Sequence, residues 1–177
     1  MEKLYITIPE LPKDIMGIQE VFYKTWLETY PNEEIGITKG DIKKHFEGCF
    51  SEESLEKRSQ NLSKLLDNQK FLVAKDGDLV VGVCNLFIRE EYNQLQAIYI
   101  LPDYQGRGIG QLFWKEALNF FDSKKDIIVQ VATYNTQAIT FYKKLGFIDN
   151  GKRFIEDRHR MPISQVAIPQ MEMVLKK

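Results

Sequence analysis

Cysteine and histidine are scarce in this chain, two of each in 177 residues. Cys49 and Cys84 have no metal-ligand spacing, and so few thiols exclude a disulfide framework. Cys84 falls in an apolar strand pattern and reads as a buried, inert thiol, so a reducing cytoplasm is the expected compartment. No apolar run approaches the ~18 residues of a membrane span. The opening MEKLYITIPEL lacks a signal-peptide pattern. Neither charge sign is in excess: the net charge is -1, so neither nucleic acid nor a membrane surface is an expected partner. What is present, 44% hydrophobic and 28% charged residues, is the composition of an ordinary globular chain. The length suits a single domain spanning 1–177 with a substantial core.

The most informative stretch is Leu95–Phe121, LQAIYILPDYQGRGIGQLFWKEALNFF. Leu95–Leu101 is rich in β-branched and aromatic residues and predicts a strand, closed by Pro102-Asp103. Gln105-Gly106-Arg107-Gly108-Ile109-Gly110 then opens into a helical pattern with apolar residues at Ile109, Leu112, Phe113, Ala117, Phe120 and Phe121. A strand, a glycine-rich turn and a helix N-terminus together make an anion site. The first helical N–H groups have no intrahelical partner, the macrodipole is positive there, and glycines let a phosphate approach the backbone. Arg107 adds a full positive charge. A nucleoside-triphosphate P-loop would need Lys-Ser/Thr after the last glycine, where Gln111-Leu112 stand. The G-x-G-x-x-G dinucleotide fingerprint fails because glycines 106, 108 and 110 are spaced two and two.

The turn resembles the Q/R-x-x-G-x-G/A loop of the GNAT N-acetyltransferases, met here by Gln105, Gly108 and Gly110. A second segment, Asn135 to Phe147, is similar to that family's N-x-x-A-x-x-F-Y-x-x-x-G-F pattern. The resemblance covers Phe71–Phe147 well. It implies an α+β (mixed α/β) fold of the GNAT acyltransferase type, with a central mixed sheet of about six or seven strands, a splayed central strand pair and flanking helices. It also implies an acetyl-CoA-dependent acyltransferase, without a metal, acting on a primary amine.

The rest of the chain fits that frame. Leu4–Ile8 predicts a strand and Lys13–Tyr30 a helix whose Phe22, Trp26 and Tyr30 form an i, i+4, i+8 stripe. Trp26 and Tyr30 serve either the core or, by resemblance, the acceptor pocket, with Gln96. Thr38-Lys39-Gly40-Asp41 is a capping box opening a helix through Phe46. Ser51–Leu66 predicts a helix with Leu55, Leu62, Leu65 and Leu66 inward. Lys70–Lys75 and Leu79–Ile88 are strands of a hairpin turned by Asp76-Gly77-Asp78, with Gly82 marking a bulge or a close approach. Ile127–Thr133 is a strand, Thr136–Leu145 a helix capped by Gly146, Gly151–Arg160 an extended loop or irregular strand, and Gln170–Leu175 a last strand.

By resemblance, main-chain groups of Gln105, Gly106, Arg107, Gly108, Ile109 and Gly110 would hold the cofactor diphosphate. Ile98, Tyr99 and Ile100, with Asn135 and Ala138, would hold the pantetheine arm, and Lys143 or Lys144 the 3′-phosphate. Tyr142 would be the general acid for the leaving thiolate, a phenol of reference pKa ~10 being comparable in basicity. Family members often place a base glutamate on the central strand; here Gln94 and Gln96 stand there. Either water relays the proton to Glu28, Glu91 or His45, or the acceptor arrives neutral, or the domain binds acetyl-CoA without transferring its acetyl group. Small molecules, with polyamine-like ones favoured by Glu28, Glu33, Glu34, Glu90 and Glu91, and protein N-termini are the acceptors to weigh. Monomer and homodimer both remain open.

Overall fold

The computed structural model describes residues 4–177, apart from the side chains of 156–159. In chain order the elements are β1 (Tyr5–Thr7), α1 (Ile15–Thr29), α2 (Lys39–His45), α3 (Glu52–Leu62), β2 (Gln69–Asp76), β3 (Leu79–Ile88), β4 (Asn93–Ile100), α4 (Ile109–Phe120), β5 (Ile127–Ala132), α5 (Thr136–Lys144), β6 (Ile148–Arg160) and β7 (Ala167–Leu175). They build a seven-stranded sheet in the order β1-β2-β3-β4-β5-β7-β6. The pairing is antiparallel except between β4 and β5, which run parallel. Element types and order are those the sequence predicts.

The β4–β5 pair positions the site. Its parallel register runs from Asn93↔Ile127 to Leu95↔Val129 and then stops, although β4 continues to Ile100. On its other side β4 stays paired with β3, but with a bulge: Asn85 faces Ala97 and Leu86 faces Leu95, so Gln96 is the extra residue. A bulge bends its strand and strengthens the local twist. From Gln96 onward β4 therefore diverges from β5, leaving the predicted splay. Gly82 on β3 allows a close approach there, since a Cβ would lie 3.1 Å from the Tyr99 carbonyl oxygen and 3.2 Å from the Phe113 ring.

Helix α1 packs on β3 and β4 beside α2 and α3, while α4 lies across β1 to β4. The main core gathers Ile18 and Val21 of α1, Val83, Leu86, Leu95 and Val129 of the sheet, and Phe113 of α4. Full burial of a side chain such as Phe113 is worth roughly 1.5–3 kcal/mol. A smaller cluster, Ile37, Ile42, Ala132, Met161 and Ile168, sits beneath Trp26, Tyr30 and Tyr134. The capping box forms as expected: Thr38 Oγ1 accepts from Asp41 N at 3.1 Å and Asp41 Oδ2 accepts from Thr38 N at 2.9 Å. The second Asp41 oxygen accepts from the N–H groups of Ile163 and Ser164 at 3.1 and 2.7 Å, tying α2 to the β6–β7 loop. Burial pushes the Asp41 carboxyl up, but the backbone donors of Ser164 and Thr38 outweigh it and bring the pKa to about 2.

One expectation needs correction. The third helix ends at Leu62, and Leu65 and Leu66 are exposed at 37% and 65% instead of facing inward. The Ser63 hydroxyl donates to the Gln60 carbonyl at 2.8 Å and Gln69 N donates to Leu66 O, converting the last predicted turn of helix into a loop. Lys75, in a strand as expected, is wholly buried, with Asp14 Oδ1 at 2.9 Å and Glu10 Oε1 at 3.4 Å. Segment Gly151–Arg160 belongs to β6, whose register against β7 shifts twice, so it is the irregular strand of the two readings.

Candidate active site

The first cavity, of about 450 Å³, opens where β4 parts from β5, between the starts of α4 and α5. Gly106 and Gly108 turn the chain into α4 with φ of +74° and +82°, the left-handed region that favours glycine. A Cβ built on either would meet nothing within 4 Å, so the turn faces open space. Among the described residues, no protein acceptor takes the main-chain N–H groups of Gly106 to Gly110. Gly110 has a different reason: its Cβ would lie 3.0 Å from the Phe141 ring, so α4 can approach α5 only without a side chain there. The Gln105 side chain donates to the Ile100 carbonyl at 3.1 Å and accepts from Gln137 at 2.9 Å, bracing the turn against the strand and α5.

Tyr142, on α5, is 5% exposed and lines this cavity. Burial first, then the neighbouring Cys84 and Tyr99, pushes its phenol well above the usual tyrosine value, so it stays protonated at neutral pH. Asn135 caps α5, its Oδ1 accepting from Ala138 N at 3.1 Å. Ile98, Tyr99, Ile100, Gln105, Gly106, Gly108, Ile109, Gly110, Asn135, Ala138 and Tyr142, all expected at the cofactor site, line the cavity together. Lys144 lines it; Lys143 and the Arg107 side chain do not, the guanidinium lying 4.7 Å over the Tyr104 ring instead.

A second cavity, of about 290 Å³, lies beyond the splayed strands. Trp26, Tyr30 and Gln96, the expected acceptor residues, line it. Tyr99 lines both cavities and so forms the wall between them; its hydroxyl meets that of Tyr30 at 3.0 Å. Tyr134 donates to the Tyr30 carbonyl at 2.9 Å and holds the aromatic wall in place. The Trp26 Nε1 is enclosed without a hydrogen-bond acceptor among the described residues.

The remaining lining is amide: Asn85, Gln94, Gln96, Gln130 and Gln170. Among the described residues, no carboxylate or imidazole lines either cavity. Glu28 and Glu91, weighed as distant bases, are exposed and off both cavities, as are Glu33, Glu34 and Glu90, so the acidic groove does not form. His45 is exposed and stacks on Trp26, centroids 4.9 Å apart and 3° from parallel, and it does not line either cavity. Sequence reasoning missed Gln130 and Gln170, which come from strands distant along the chain. The pairing of Ala132 with Gln170 across β5 and β7 brings their side of the sheet to the cleft.

A bulged central strand, a splayed parallel neighbour, and a glycine turn feeding a helix define the class. The profile of the acetyltransferase (GNAT) family matches residues 39–147, and the chain belongs to that family. Among individual proteins, it is 36% identical over 63 residues to the peptidyl-lysine N-acetyltransferase YjaB of Salmonella typhimurium, covering 36% of this chain and 41% of that protein's length. It is 30% identical over 95 residues to a putative ribosomal protein bS18-alanine N-acetyltransferase of Bacillus subtilis, covering 51% of this chain and 62% of that one. The PaiA N-acetyltransferase of Thermoplasma acidophilum, solved in complex with coenzyme A, superposes over 99% of both chains with a TM-score of 0.68 at 22% identity, a likeness of fold.

Proposed function

We propose that the protein is an N-acetyltransferase that moves the acetyl group of acetyl-CoA to a primary amine of a small molecule, by direct attack in a ternary complex. The observation that carries this reading is the junction itself: two cavities on either side of the β4–β5 splay, with Tyr99 common to both. The residues present fit acetyl-CoA, because the N–H groups of Gly106 to Gly110 have no acceptor among the described residues and the turn is open at Gly106 and Gly108. The edge of β4 beyond Leu95 has no β5 partner and offers main-chain groups of Ile98 and Ile100 to an extended arm. When bound, acetyl-CoA supplies the activated acyl group. An N–H near Ile98 then polarises the acyl carbonyl, and Tyr142 holds the proton that the leaving sulfur needs.

Among the described residues, no carboxylate lines the cavities to take the amine's proton. The site therefore suits an amine that is already partly neutral, and loss of a general base typically costs about 10²–10⁴-fold without abolishing transfer. The proton balance closes through solvent: the amine gives its proton to water, Tyr142 gives one to the thiolate, and the Tyr142 phenolate recovers a proton from water before the next turnover. No cysteine lines either cavity, which supports direct attack over a covalent acyl-enzyme. The missing base is the specific observation behind a second reading, a module that binds acetyl-CoA without turning it over. A CoA-release assay over a broad amine panel, with the acetylated product identified by mass, separates the two. Amine-dependent release is expected; acetyl-CoA binding with no release from any amine would retire the transferase reading.

A further inference from the structure

We infer that the acceptor cleft continues into an anion-binding subsite centred on Arg58, which selects amines carrying a carboxylate or phosphate group. This rests on the acceptor assignment above. A cavity of about 430 Å³ lies between α1, α3 and β3, with Lys57, Arg58 and Asn61 on one wall. It shares Phe22 and Asn85 with the acceptor cavity, so the two adjoin. Asn85 links them directly, its Nδ2 donating to Gln96 Oε1 at 2.6 Å.

Arg58 is the unusual group. Its guanidinium is partly buried, 4.8 Å over the Phe22 ring. Among the described residues, no carboxylate lies within ion-pair distance of it. Removing a cation from water without a counter-ion is costly, and charged groups of this kind are ordinarily paired. The planar fork of arginine matches a carboxylate or phosphate with parallel N–H donors, and a ligand anion would supply the absent partner.

Independent features agree. The Arg89 guanidinium stacks 4.2 Å over Phe87, which lines the Arg58 cavity, and donates at 2.9 Å to Gln94, which lines the acceptor cavity. Of the glutamates on α3, Glu52 and Glu56 line a different groove beside the start of α1, and Glu53 does not line the Arg58 cavity. Among the described residues the cleft thus carries cations and neutral amides but no carboxylate, a field that draws anions and repels polycations. An acceptor would place its amine by Gln96 and its anionic end on Arg58.

The test uses matched probes against the full chain with CoA bound, by calorimetry: γ-aminobutyrate against γ-aminobutyramide, phosphoethanolamine against ethanolamine, and spermidine as the polycation. The anionic member of at least one pair is expected to bind about tenfold or more tightly than its neutral partner, and which pair responds identifies carboxylate or phosphate. In Arg58→Ala that preference collapses toward unity, and in Arg58→Lys part of it returns. Equal affinities within both pairs, or tighter binding of spermidine than of either anion, would overturn the subsite on the wild-type protein alone. Acetyl-CoA turnover is read separately: anion-selective binding without CoA release would uphold the subsite and defeat the transferase reading.

Discussion

Replacing Gly108 by alanine separates the two things this glycine does. Its φ of +82° costs an L-residue about 1–2 kcal/mol, and no atom lies within 4 Å of the new Cβ, so no clash adds to that strain. Gly151 is a matched control, with the same φ of +82°, the same empty surroundings, and a place on β6 away from both cavities. Both variants should lose about 1–2 kcal/mol in urea denaturation, and each kcal/mol should lower the melting temperature of a chain this size by roughly 2–4 °C. Only Gly108→Ala puts a methyl group where a diphosphate must approach the N–H groups. Losing one charge-assisted hydrogen bond there is worth about 1.5–3 kcal/mol, so acetyl-CoA affinity should fall roughly 10- to 100-fold by calorimetry. Gly151→Ala should bind as the parent does. Equal acetyl-CoA affinities in the two variants would refute the argument, because the strain is common to both.

Tyr142→Phe should lower kcat by about 10²–10⁴-fold with the acetyl-CoA Kd within about twofold; an unchanged kcat would remove this phenol from the chemistry. Because burial raises its pKa, no alkaline limb from Tyr142 should appear in the kcat–pH profile below about pH 10. Asp14→Ala removes the buried partner of the Lys75 ammonium, leaving it the longer contact to the exposed Glu10, and should cost up to about 3–5 kcal/mol, much of it restored by adding Lys75→Met. Hydrogen bonding to Asp14 raises the Lys75 pKa, so the pair's contribution is complete below about pH 10.4 and is lost as pH climbs through the raised value, which alkaline denaturation would show. Asp41, lowered to about 2, contributes stability above its ordinary value of 3.8 that disappears as pH falls toward 2, and an Asp41→Asn variant should show a shallower acid-unfolding profile over that window.

How much was legible in the sequence follows from how local each feature is. The glycine turn and the capping box at Thr38–Asp41 depend on neighbours within a few residues, and the structure has both. The splay was available only through resemblance, because a one-residue bulge at Gln96 leaves no mark in the periodicity. The Lys75–Asp14 pair and the Gln130–Gln170 side of the cleft join residues remote in sequence, and a lysine in a strand reads as solvent-facing until its partner is seen. Leu65 and Leu66 mislead in the opposite way: their spacing continues the α3 pattern, but the Ser63 hydroxyl has already taken a helical carbonyl.

The most direct test of the central claim is a crystal structure with acetyl-CoA bound. The account predicts the diphosphate oxygens within hydrogen-bond distance of the N–H groups of Gly106 to Gly110, the arm in the gap between β4 and β5, and the sulfur within reach of the Tyr142 hydroxyl. A diphosphate bound away from that turn, or a sulfur remote from Tyr142, would contradict it.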